Sequence, residues 1–125
     1  MQPSTPEGPL TREDAERIEA TLLPTLDRHH LRLQAHCLAT LKSIAAPRSQ
    51  GPLPSVEQIQ AWCRQQPALR DDAVFQDELL KQFQGISDQL NSLADACGHT
   101  PLDLTLDALI ANAEAESRRR LARGT

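Results

Sequence analysis

The sequence predicts an all-α protein, and three observations carry that expectation. Aromatic residues make up 2% of the 125-residue chain, with one Trp, two Phe and no Tyr, while Leu and Ala supply most of the 39% that is hydrophobic. A sandwich or barrel core draws on β-branched and aromatic side chains that are scarce here. Apolar residues recur at helical spacing through most of the chain. Gly, Pro, Ser and Thr fall between those runs at positions that start and stop helices. The expectation is a compact bundle of four to five helices with antiparallel neighbours, its first long helix kinked or broken at Pro24. Length favours one domain, a helical unit over 11–122 behind a flexible N-terminal tail at 1–10.

The tail carries Pro3, Pro6 and Pro9 and little to bury. Thr11 then opens a helix as N-cap, with Glu13, Asp14 and Glu16 suited to the positive end of its dipole. Ile18 and Leu22 are its expected apolar face. Pro24 removes an amide donor and crowds the preceding turn, so the helix, placed at 11–23, gives way to a second at 25–45. One row of the second helix reads Leu26, His30, Leu33, Cys37, Thr40 or Leu41, and Ile44; Leu31, Ala35, Leu38 and Ala45 form a row beside it. A face that wide suits a helix with two neighbours.

Residues 46–55, APRSQGPLPS, form a loop by composition. Ser55 with Gln58 spells a capping box for a short helix over 56–66, with Ile59, Trp62 and Cys63 inward. A long helix over 72–97 follows. Leu79, Phe83, Ile86, Leu90, Leu93 and Cys97 are spaced as a heptad seam. Gly85 interrupts it and points to a close helix crossing or a bend. Gly98 suits the left-handed residue that ends a helix. A last helix is expected over 101–121, with Thr100 as N-cap, Pro101 at its first position and Arg118, Arg119 and Arg120 in its last turn.

LADACGHTPLDLTLDALIANA, residues 93–113, resembles the helix-turn-helix of DNA-binding regulators. The longer run from Ile86 resembles the two-helix part of ribbon-helix-helix repressors. Such a resemblance implies a dimeric transcriptional regulator. Charge opposes it: residues 71–117 hold ten Asp or Glu and one base, Lys81. Phosphate contacts by Lys and Arg supply most of the affinity for DNA. The residues before the first helix of the pair also continue a helical heptad where a ribbon needs an alternating strand. The net charge of −4 exerts no pull toward nucleic acid.

DRHHLRLQAHC, residues 27–37, holds three His, an Asp and a Cys. His29 and His36 are seven residues apart, as are His30 and Cys37, which is roughly 10 Å along a helix. That gap is too wide for one zinc ion to share. Whether His29, His30, His36 and Cys97 join a site assembled between helices, as a metal-dependent bundle enzyme would need, stays open at this point. No nucleophile elbow and no Gly-rich phosphate loop is present. No catalytic residue, metal or cofactor is assigned. Three cysteines at wide spacings form neither a disulfide framework nor a CxxC motif, and together with a leaderless N-terminus they suggest the cytoplasm. No apolar run is long enough to span a membrane.

The function expected is therefore that of a small non-enzymatic interaction protein, an adaptor, assembly factor or subunit acting through apolar helix faces. Its partner is another protein or a second copy, with nucleic acid and membrane disfavoured. The candidate interaction residues are His30, Leu33, Cys37, Trp62, Arg118, Arg119 and Arg120. The alternative is the dimeric regulator that would use the 93–113 corner.

Overall fold

The computed structural model describes residues 10–124. Among them lie five α-helices and no strand: α1 (Arg12–Glu19), α2 (Thr25–Ala45), α3 (Val56–Gln65), α4 (Ala73–Cys97) and α5 (Leu106–Gly124), with a 3₁₀ turn at Pro101–Asp103. The chain is all-α, as the composition and periodicity predict. The proposed tail falls outside the described residues except for Leu10, which is buried. Contacts sort the chain into two compact units, one drawn from Met1–Ala39 and Leu104–Thr125, the other Thr40–Asp103.

In the first unit, Thr11 caps α1, its hydroxyl accepting from the Asp14 N–H over 3.0 Å. The helix stops at Glu19, short of the expected 23. Its final amides close on Glu16 and Ile18, and the Thr21 hydroxyl donates to the Ile18 carbonyl over 2.8 Å. Residues 20–24 form an irregular turn, within which Pro24 disfavours a helical backbone at Leu23, and α2 starts afresh at Thr25. The turn shifts the apolar register by one residue. Leu23 is buried while Leu22 is 99% exposed, which corrects the assignment of Leu22 to the inner face. Leu26, the expected start of the inner row of α2, is 81% exposed. Leu31, Ala35 and Leu38 are the buried row, flanked by Gln34 and Cys37.

α5 begins at Leu106, capped by Thr105, whose hydroxyl accepts from the Ala108 N–H over 3.2 Å. Leu109 and Ser117 are its buried positions, and Leu104 is buried just before it. Ion pairs connect the three helices two by two. Glu19 on α1 meets Arg28 and Arg32 on α2, Arg17 on α1 meets Asp107 on α5, and Asp27 on α2 meets Arg120 on α5. Exposed pairs of this kind contribute about 0–1 kcal/mol each.

In the second unit, the capping box of α3 is present. The Ser55 hydroxyl accepts from the Gln58 N–H, and the Gln58 side chain accepts from the Ser55 N–H over 2.8 Å. Asp72 caps α4, accepting from the Phe75 N–H over 2.9 Å. Trp62 on α3 meets Phe83 on α4 edge to face, with ring centroids 6.4 Å apart. The buried row of α4 is Phe83, Ile86, Leu90 and Ala94. Leu79 and Leu93 are half-buried and Cys97 is exposed, so the heptad seam turns away from the core at its ends. A straight helix drifts about 20° per heptad against a 3.5-residue repeat, which moves the terminal positions off the buried face.

Gly98 ends α4 with φ +74°, the left-handed cap its position predicts. The segment beyond it departs from expectation. Thr100 does not cap α5; its hydroxyl accepts from the Gly51 N–H over 2.8 Å, and the Leu102 N–H donates to the Gly51 carbonyl over 3.3 Å. Residues 98–105 thus form a braced connector in place of a two-helix corner.

Candidate functional site

Large apolar side chains left in water are the feature of this surface that packing does not explain. Among the described residues all but Val56, 38% exposed at the start of α3, gather at two places, one in each unit.

The first is one end of the first unit. The turn between α1 and α2 leaves Leu22 and Leu26 largely exposed. The Arg120–Asp27 pair holds the end of α5 beside the start of α2. Every residue of α5 from Arg118 to Arg123 is exposed, and Leu121 is 68% exposed. Leucines and arginines therefore share this end. The second place is the start of α4, where Val74 is 77% and Phe75 50% exposed. Phe75, Glu78, Leu79, Lys81 and Gln82 line a shallow groove of about 420 Å³. Asp71, Asp72, Asp77 and Glu78 make this stretch acidic, with Lys81 bridging to Asp77 over 3.4 Å.

The residues selected from the sequence are distributed as follows. His30 is exposed, Leu33 is half-buried, and Cys37 is in the core. Trp62 is half-buried against Phe83 in the other unit. Arg118 lies on the exposed end of α5. Arg119 pairs with Glu116, which pulls the Glu116 carboxyl below its ordinary range, and Arg120 pairs with Asp27. The structure brings the arginines together with Leu121, and the Asp27 contact sets them beside the start of α2. Leu22, Leu26, Val74 and Phe75 are absent from that selection. For the first two, the signal was Pro24 between them, which disfavours a helical backbone at Leu23 and so separates two helices whose registers need not agree.

The chemistry available to the described residues is limited. No group of three or more His, Cys, Asp or Glu among them could hold a metal ion. All three cysteines are free, with Cys37 and Cys63 buried and Cys97 exposed. Burial pushes the Cys37 thiol up to about 11. Burial also raises Cys63, against a smaller opposing effect of Arg64. A thiol held protonated is a poor nucleophile. No described helix is long and apolar enough to cross a membrane.

The family model described as "NDH complex assembly factor CRR9" matches residues 10–120. The chain belongs to that family. The match covers α1 to α4 of this CRR9-family chain and α5 up to its last turn, so it takes in Leu22, Leu26, Val74 and Phe75 but stops short of Leu121. Nothing in the family's description supports the regulator reading of residues 93–113. No curated protein and no solved structure matches the chain.

Proposed function

We propose that this protein is a non-enzymatic assembly factor for an NDH complex, a helical adaptor that binds subunits of the complex through exposed apolar side chains. The observation that carries this reading is the family match over residues 10–120. Leu22, Leu26, Val74 and Phe75 support it, since side chains of that size left in water are the anchors a protein partner would bury. The high pKa of the buried Cys37 thiol supports a role without covalent chemistry at that residue. Three unbridged thiols fit a reducing compartment such as the cytoplasm.

The test has two arms. In cells lacking the protein, the amount of assembled NDH complex should fall, and the parent gene should restore it. The complex purified from normal cells should hold the protein far below stoichiometry, because an assembly factor departs. Unchanged complex in the deletion strain would overturn the reading. A stoichiometric place in the mature complex would make the protein a subunit instead.

A further inference from the structure

The two exposed regions are complementary to each other. The end of the first unit is basic and apolar, with Arg118 and Arg123 around Leu121 and with Leu22 and Leu26 near the start of α2. The start of α4 is apolar and net acidic: Asp71, Asp72, Asp77 and Glu78 outnumber Lys81, which pairs with Asp77, and Phe75, Glu78, Leu79, Lys81 and Gln82 line a groove of about 420 Å³. Both regions are open to solvent in the single chain.

We propose that the occupant of each region is the other region of a second copy, with the end of α5 from one molecule seated on the start of α4 of the next. Leu121 enters the groove beside Phe75 and Leu79, and Arg118, one turn from Leu121, faces Glu78 in the groove's lining, with Arg123 and Asp77 adding to the opposite net charges of the two ends. Apolar contact supplies the attraction, and charge complementarity selects orientation and partner. A bare helix face would fit many occupants; here both halves of a matched pair lie on one chain. Two such contacts made reciprocally close a dimer, and single contacts in series make a chain. The inference rests on the helix-face reading above, but its test uses the purified protein alone. Self-association can therefore fail while binding to NDH subunits stands.

The experiment is sedimentation equilibrium on the parent and two charge-reversed variants. One variant carries Arg118→Glu and Arg123→Glu, the other Asp77→Lys and Glu78→Lys. The parent's weight-average mass should rise to at least twice the monomer's with concentration at ~50 mM salt, and fall back at ~500 mM, where screening is stronger. Each variant alone should remain monomeric, because its two regions then carry like charge. An equimolar mixture should regain the parent's association, since each variant then offers the charge the other lacks. All four positions are exposed, so helical circular dichroism and melting should stay near the parent's. The proposal is overturned by a parent that stays monomeric up to ~1 mM, by a variant that associates like the parent, or by a mixture that does not recover.

Discussion

The Gly51 amide donates to the Thr100 hydroxyl over 2.8 Å, joining positions 49 residues apart in the chain. This bond and the Leu102 amide on the Gly51 carbonyl fasten the 46–55 loop to the connector before α5. Thr100→Val keeps the shape and removes the acceptor, leaving a partly buried amide unsatisfied. Its expected loss is about 1–3 kcal/mol in urea unfolding, with Thr100→Ser close to the parent. Equal midpoints for Val and Ser would deny the brace.

Gly98 has φ +74°, and a Cβ added there would meet nothing within 4 Å. Backbone strain alone therefore sets the effect of substitution. Gly98→Val should lower stability by about 1–3 kcal/mol, and Gly98→Asn by less, because Asn enters the left-handed region more readily. The order of the two melting temperatures is the readout.

Leu109 is fully buried in the first unit, as Leu90 is in the second. Truncating either to Ala should cost about 2–5 kcal/mol through lost burial and a residual cavity. Thermal melts of the two variants would show a much smaller loss if either side chain faced water.

The thiols should separate by burial. At neutral pH a small maleimide should label Cys97 quickly, and Cys37 and Cys63 only in denaturant. Folding raises the Cys37 pKa from 9.0 to about 11, so above pH 9.0 the unfolded chain releases this proton first. Stability should therefore fall as pH rises from 9.0 through about 11, and Cys37→Ala should flatten that part of the profile. An unaltered profile would contradict the assignment.

Leu22 and Leu26 are exposed, so replacing both with Ser should change stability by no more than about 0.5 kcal/mol. Capture of NDH subunits by the variant should nevertheless drop. Undiminished capture would remove the α1–α2 turn from the binding surface.

The class of fold and several helix ends were determined by the sequence itself. Thr11, Ser55 and Gly98 act within four residues of their own positions, where backbone geometry and side-chain reach decide the outcome. Wherever the answer depended on a distant partner, local reading failed. Thr100 has the right chemistry for an N-cap, but Gly51 takes its hydroxyl and Thr105 caps α5. Arg118, Arg119 and Arg120 read as one cluster, yet only the fold pairs Arg120 with Asp27, 93 residues away. Choosing Leu23 over Leu22 for the core turned on how the chain re-enters a helix after Pro24, and a one-residue shift moved two leucines into water. The family relationship was not read from single positions; it rests on a match over residues 10–120. Capping and turn chemistry are local and can be read along the chain; burial and ion pairing exist only once segments remote in sequence have met.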